Sequence, residues 1–312
     1  MSVVRVAVVQ AEVAPDLASG LATTARFARA AAAGGARLVA FPEAWLPGYP
    51  AWLDVCRDVA LWDHPPVKAA FARLAEESVD VGGASGAALA SIAREAGVVL
   101  VIGVSERVAA GPGRGTLYNS LLAYDADGTL MTHHRKLMPT YTERMVWGTG
   151  DADGIHGAAT IAGRVGGLIC WEHWMPLARQ ALHQSGEDIH VAVWPTVHDR
   201  HQLASRQYAF EGRCFVLAAG ALMRAGSFPA GLEAHPDRVK SGDQLVLRGG
   251  SAIIAPDGEY IVQPVFDHER VLIADLDLSR VREESMTLDV AGHYARPDCL
   301  ELVIKRTGRP GA

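Results

Sequence analysis

A cysteine, a glutamate and a lysine, each at the end of a predicted strand, are the positions in this 312-residue chain whose types and settings could do chemistry. Cys170 ends the run Val165-Gly166-Gly167-Leu168-Ile169 and stands just before Trp171-Glu172-His173-Trp174 and a predicted helix from Pro176. A cysteine between a strand end and a helix start sits where a nucleophile is exposed, because nearby N–H groups and the helix dipole favour thiolate and can hold an oxyanion. Buried apolar packing is the commoner role of a lone cysteine, and position alone does not choose between the two. Glu43 follows the apolar run Arg37 to Phe41 and precedes the rigid loop Pro47-Gly48-Tyr49-Pro50. Apolar neighbours there could raise its pKa towards that of a general base; a solvated or helix-capping glutamate fits the segment equally well. Lys136 follows His134-Arg135 and enters a long loop through Pro139-Thr140 to Trp147-Gly148. An ammonium held there could stabilise charge on a tetrahedral intermediate, although on that segment alone a solvated strand-end lysine is the simpler reading. Twelve histidines, among them His133, His134 and His173, leave a Cys–His pair open as well.

The elements that must position these groups follow from periodicity. Val3 to Val9, ended by Gln10, reads as a buried strand, and the alanine-rich stretch Leu17 to Ala33, stopped by Gly34-Gly35, as a helix. Arg37 to Phe41 predicts a second strand, Ala84 to Ala96 a helix and Val98 to Val104 a strand. Leu117 to Tyr124 and Leu130 to Arg135 form a hairpin turning at Asp127-Gly128. Thr160 to Cys170 is a strand run, Pro176 to His183 a helix, Ile189 to Trp194 a strand, His201 to Gly212 a helix and Cys214 to Ala219 a strand. A second hairpin joins Ser251 to Ala255 with Tyr260 to Val265, and Val271 to Leu276 is the last strand. Strands alternate with helices in part of each apparent unit and pair as hairpins in the rest, an arrangement that occurs loosely twice. Mixed sheets faced by helices are the expectation, an α/β class. No linker, low-complexity stretch or fixed-period repeat interrupts the chain, so one compact domain is expected over residues 1–312, with a short C-terminal tail from about residue 290.

Composition narrows the class. Hydrophobic residues make up 49% and charged residues 21%, as in a globular protein with a large core. A net charge of -6 argues against nucleic acid or anionic membrane as the main partner. Cys56, Cys170, Cys214 and Cys299 are dispersed with no CxxC pair, which favours a reducing compartment. No signal peptide is visible, and no apolar run approaches the ~18 residues of a membrane span; a cytoplasmic protein is expected.

Glu43, Lys136 and Cys170 in these contexts resemble the Glu-Lys-Cys triad of the nitrilase superfamily. Glu43 to Pro50 resembles its first signature, and Gly166 to Arg179 is similar throughout to its nucleophile signature. Glu143-Arg144 before Trp147-Gly148-Thr149-Gly150-Asp151, and Gly292-His293-Tyr294-Ala295-Arg296-Pro297-Asp298, resemble true nitrilases more than the amidase or carbamoylase branches. The likeness runs from about Val4 to Leu302. It implies a four-layer α-β-β-α sandwich. It also implies attack of Cys170 on a nitrile carbon, proton transfer by Glu43 and charge stabilisation by Lys136. A second glutamate, Glu143, would support the lysine and substrate, and carboxylic acid and ammonia would be the products. Neither metal nor organic cofactor is implied. Tyr49, Trp147, Trp171 and Trp194 are candidate pocket residues for a nitrile bearing an apolar or aromatic group. The partner implied besides the substrate is a second copy of the chain, as a homodimer or higher oligomer; the short tail after the Arg-Pro-Asp segment argues against extended filaments.

Other readings fit less well. An amidase or carbamoylase would share the same triad and cleave an amide; expulsion of thiolate instead of ammonia would give amide from nitrile. Gly82-Gly83-Ala84-Ser85-Gly86 lacks the last glycine of a serine elbow, since position 87 is Ala87. Gly111-Pro112-Gly113-Arg114-Gly115 lacks the Lys-Ser/Thr of a phosphate loop, and His198 and His201 lie in no His-Glu-x-x-His zinc motif. A non-catalytic scaffold would be expected to have lost one of the three triad residues.

Overall fold

A computed structural model describes residues 3–309, so the two ends of the 1–312 range lie outside the described residues. The chain runs β1 (Val3–Gln10), α1 (Leu17–Ala33), β2 (Leu38–Ala40), α2 (Trp52–Val55), α3 (Pro65–Glu76), α4 (Ala84–Ala96), β3 (Val99–Arg107), β4 (Leu117–Tyr124) and β5 (Leu130–Arg135). It continues as β6 (Ala158–Thr160), β7 (Gly163–Ile169), α5 (Pro176–His183), β8 (Ile189–Val193), α6 (Asp199–Gly212), β9 (Phe215–Ala219), β10 (Leu222–Arg224), β11 (Leu245–Ile254), β12 (Tyr260–Phe266), β13 (Arg270–Asp277) and α7 (Ser279–Ser285).

These strands form two mixed sheets. The first has the order β13-β1-β2-β3-β4-β5; the second has β10-β11-β9-β8-β7-β6, with β12 paired to β11. In each, central strands run parallel and a flanking hairpin is antiparallel, β4–β5 in one and β6–β7 in the other. Side-chain alternation explains the layering. On β1, Val4, Val6 and Val8 join Ile169, Val191, Val193 and Leu217 of the second sheet in the core between the sheets. The intervening Ala7 and Val9 face outward and pack with Phe27 and Ala31 of α1 and Leu89 and Ile92 of α4. Leu182 of α5 and Tyr208 and Ala209 of α6 pack against the second sheet. Helices, sheet, sheet, helices: the four-layer α-β-β-α sandwich is the observed fold.

The bounds of α1, α4, α5, β4 and β5 coincide with those expected from periodicity. The run Thr160 to Cys170 does not stay one strand. It divides into β6 and β7, because the chain reverses at Ile161-Ala162, where Thr160 Oγ1 donates to the Gly163 carbonyl at 2.8 Å. Cys170 itself lies beyond β7, in a 3-10 turn spanning Cys170–Trp174. Helix α3 lacked a signal because it opens on Pro65-Pro66, which punctuates a sequence yet is tolerated in a first helical turn.

Candidate active site

Glu43, Lys136 and Cys170 converge at the seam between the sheets, from three different chain segments. The loop carrying Glu43 leaves β2 and crosses the middle of β3. There Gly103 is required, because a Cβ would meet the Pro42 carbonyl at 2.4 Å and Glu43 Cα at 2.6 Å. The Glu43 N–H donates to the Trp194 carbonyl at 3.3 Å, tying this loop to the second sheet. Lys136 continues β5, its N–H donating to the Asn119 carbonyl of β4. Cys170 occupies the left-handed region with φ 52°, a conformation costly for a non-glycine residue and typical of a sharp turn that projects one side chain.

The side chains form a closed cluster, with Glu43, Lys136 and Cys170 exposed by only 0%, 1% and 4%. Lys136 Nζ donates to Glu43 Oε1 at 3.1 Å and to Glu143 Oε2 at 2.7 Å. Glu143 also accepts from the Tyr49 hydroxyl at 2.9 Å and the Thr140 N–H at 2.8 Å, so its position is set from three sides. Asn119 Nδ2 donates to Glu43 Oε1 at 2.6 Å, while Glu43 Oε2 has no partner among the described residues. One donor atom each from Glu43, Glu143 and Cys170 lies within 4.8 Å of the others. Such a set would suit a cation, and the Lys136 ammonium supplies one in its midst.

Burial pushes the Glu43 carboxyl up to about 7, with the Lys136 charge opposing and Glu143 reinforcing the rise. Burial also works against the Lys136 ammonium, but Glu43, Cys170 and Glu143 outweigh it and hold its pKa above the ordinary lysine value. The Cys170 thiol is pushed well up by burial and by Glu43, against the pull of Lys136 and the Trp171 N–H. The resting cluster is thus a neutral thiol, an ammonium and a carboxyl poised to take a proton near neutrality. No histidine competes for the thiol: His134 is held by Glu172 at 2.9 Å, His133 by Glu106 at 2.8 Å, and His173 Nδ1 lies on the Cys170 carbonyl at 2.7 Å. The Cys–His alternative has no geometric basis in this site.

A model of the carbon-nitrogen hydrolase family matches residues 5–284. The chain belongs to the carbon–nitrogen hydrolase family. Among curated relatives, a nitrilase of Bradyrhizobium diazoefficiens is 39% identical over 309 residues, covering 96% of this chain and 91% of the relative. An aliphatic nitrilase of Sinorhizobium fredii is 39% identical, covering 97% and 96%, and a bifunctional nitrilase/nitrile hydratase of Nicotiana tabacum is 37% identical, covering 97% and 86%. Among solved structures, a carbon-nitrogen hydrolase from Helicobacter pylori G27 superposes with a TM-score of 0.70 at 20% identity over 95% of this chain and 96% of that one. Saccharomyces cerevisiae Nit3, a member of branch 10 of the nitrilase superfamily, gives 0.69 at 18% identity over 95% and 97%. At such identities the structures speak to the fold.

In this carbon–nitrogen hydrolase the four candidate pocket aromatics take different places. Tyr49 bonds to Glu143 and packs on Trp147, whose indole N–H donates to Ser105 at 3.0 Å. Trp171, beside the thiol, is 48% exposed. Trp194 lies behind the site, fully buried and stacked between His173 and His201. A cavity of about 460 Å³ is lined by Tyr49, Trp52, Leu74, Met223 and Phe228 and touches the cluster only through Tyr49. Two residues next to the cluster are not apparent as such from the sequence. Asn119 had a signal, since Asn119-Ser120 places two polar residues inside a buried apolar strand. Glu172 stands within the nucleophile signature, yet its partners are Leu137 and His134, which only the fold brings near.

Proposed function

We propose that the chain is a nitrilase, converting an organic nitrile and two waters to carboxylic acid and ammonia with Cys170 as nucleophile. The observation that carries this reading is the cluster itself: a carboxylate with one free oxygen, an ammonium pinned between two glutamates and a thiol within reach. Glu43 takes the thiol proton as sulfur attacks the nitrile carbon, and the nitrile nitrogen is protonated to give a thioimidate. Lys136 stabilises charge on the nitrogen and then on the oxygen of the tetrahedral species, with Glu143 and Tyr49 holding it in place. Glu43 returns as base for the first water; collapse expels ammonia and leaves a thioester. A second water, activated in the same way, releases the acid and restores the thiol. Nitrile over amide is supported by the nitrilases at 37% to 39% identity over nearly the whole chain. The bifunctional relatives make the amide, formed when the tetrahedral species expels thiolate, a product to be looked for.

The same reading makes residues 1–312 one hydrolase domain and puts the enzyme in the cytoplasm. Four unpaired cysteines agree with that, and among the described residues no helix is long and apolar enough to cross a membrane. Tyr49, Trp147 and Trp171 stand nearest the cluster to meet the substrate's organic group, with Trp194 shaping the site from behind. A homodimer is supported by apolar Leu177, Leu203 and Phe210, exposed along α5 and α6.

The test is ammonia release, with acid and amide resolved, from aliphatic, aryl and arylacetonitriles and their matching amides. Acid and ammonia from nitriles, with amides untouched, is the expected result. Turnover of the amides alone moves the enzyme to the amidase branch. A Cys170→Ala protein that still released ammonia at the parent rate would remove the nucleophile from its role.

A further inference from the structure

Behind the nucleophile, on the side away from Lys136, a file of buried polar groups leads from the Cys170 carbonyl into the layer between the second sheet and α6. His173 Nδ1 lies 2.7 Å from the Cys170 carbonyl oxygen, and His173 Nε2 lies 2.9 Å from His190 Nε2. His190 Nδ1 lies 3.0 Å from Glu187 Oε2, and Glu187 Oε1 accepts from the Tyr208 hydroxyl. All four side chains are exposed by 4% or less. Packing holds the file in line: Tyr208 stacks on His190 at 3.7 Å and Trp194 on His173 at 4.7 Å. The first glycine of Gly166-Gly167 is required by it, since a Cβ on Gly166 would sit 2.1 Å from Glu187 Oε2.

The direction of every bond in this file follows from its end. A carbonyl only accepts, so His173 carries its proton on Nδ1 and, as a neutral ring, presents a lone pair at Nε2. His190 must then donate from Nε2. If His190 is also neutral, its Nδ1 is a lone pair, and Glu187 must donate to it as a carboxylic acid. If His190 is instead the cation, Glu187 is the carboxylate. Both states hold one proton more than a carboxylate beside a neutral imidazole.

We propose that Glu187, His190 and His173 form a positioning relay whose retained proton fixes the direction of hydrogen bonding and thereby holds the strained turn that presents Cys170. Removing the proton leaves the His190 Nδ1 lone pair facing a carboxylate. His190 then moves its proton to Nδ1, its Nε2 lone pair meets that of His173, and His173 follows by moving its own proton to Nε2. At the end of that sequence the Cys170 carbonyl has lost its donor. Burial agrees with the neutral version, lowering both histidines well below their ordinary value and raising Glu187 to about 7.

Other charged groups face the pair without replacing its proton. His183 of α5 lies 4.0 Å from Glu187 and 3.9 Å from Glu211, which Arg179 pairs at 3.1 Å; burial keeps His183 neutral, with a pKa lowered to about 4. Asp188 raises Glu187 further, and Glu172 acts on His190 from the turn. The Cys214 thiol, raised by burial and Glu187, remains neutral, and His201 stands beyond Trp194.

The relay rests on Cys170 being the nucleophile, and its test separates the two ideas. Glu187→Gln keeps the direction permanently, because the amide N–H donates to His190 while its oxygen accepts from Tyr208, and it has no proton to lose. Glu187→Leu removes both bonds. For parent, Gln and Leu proteins, kcat and KM are measured for a nitrile across pH, together with the rate of Cys170 alkylation by iodoacetamide, located by mass spectrometry. The parent is expected to lose kcat above about pH 7, and Glu187→Gln to keep parent-like kcat near neutrality but lose that alkaline limb. Glu187→Leu should fall at least tenfold in kcat with KM little changed, and its Cys170 should alkylate at an altered rate. A Glu187→Gln protein with the parent's alkaline limb, or a folded Glu187→Leu protein with parent kcat and alkylation, overturns the relay. Because alkylation needs no nitrile turnover, it tests the relay even in an enzyme that acts on another substrate. Should Glu187→Leu fail to fold, the pH profile of Glu187→Gln decides alone.

Discussion

Two fully buried glutamates flank Cys170, and they are opposites. Glu43 has one oxygen shared by Asn119 and Lys136 and the other without a partner among the described residues, and burial raises it to about 7. Glu172 is equally buried, yet its oxygens accept from the Ile169 N–H and the Leu137 N–H, both at 2.8 Å, and from His134. Those bonds and the His134 charge overcome burial and hold its carboxyl below the usual range. The same side chain at the same depth holds its proton towards neutrality when one oxygen is left unsatisfied, and becomes a clamp when every lone pair is used. Glu172 joins the turn carrying Cys170 to the loop after Lys136, keeping two parts of the proposed machinery in register.

The comparison is most sharply broken at Glu43. Glu43→Gln cannot take the thiol proton or activate water, and kcat is expected to fall by a factor on the order of 10³ or more, while the melting temperature holds or rises. A variant with more than a tenth of parent activity would show that another group is the base. Next comes Glu172→Leu, which leaves two buried N–H groups and His134 without their acceptor and should destabilise by about 3–5 kcal/mol. Denaturant titration checks this, and a parent-like midpoint would mean the clamp is dispensable.

The two carboxyls should also answer acid with opposite sign. Glu43 has a folded pKa of about 7, above its ordinary 4.5, so the folded state binds this proton the more tightly. Its burden on stability is full above pH 7 and is relieved as pH falls towards 4.5, a change on the order of 3 kcal/mol. Glu172 is shifted downwards, so its contribution is present above its ordinary 4.5 and is lost as pH falls through the folded value. Unfolding midpoints of parent and Glu43→Gln should therefore differ more at roughly pH 8 than at roughly pH 5, and equal differences would contradict the assignment. The smallest effect is expected at Trp171→Ala. Its half-exposed ring should change KM by several-fold and kcat little, as read from nitrile kinetics.

The layers of the fold were legible because alternation is local: β1 announces in eight residues which side meets the helices and which the other sheet. The approach of Glu43, Lys136 and Cys170 was legible only through motif likeness, since no spacing in the chain says that residues 43, 136 and 170 meet. The relay was illegible. Glu187 and His190 lie three apart in a loop and strand, but their connection to Cys170 passes through His173 and depends on the parallel register of β7 with β8, in which Gly166 faces His190. Nothing within either segment encodes that pairing.

The pairing of β1 with β13 carries a consequence for the order of assembly. Val3 stands opposite Asp277 and Gln10 opposite Arg270, so the first strand waits for the last described strand before its edge is closed. Contacts this distant in sequence form slowly and late. On the ribosome, Cys170 emerges well before β13, the strand that closes the edge of the sheet framing Glu43 and Lys136. A truncated chain lacking β13 leaves the β1 edge open and is expected to be inert.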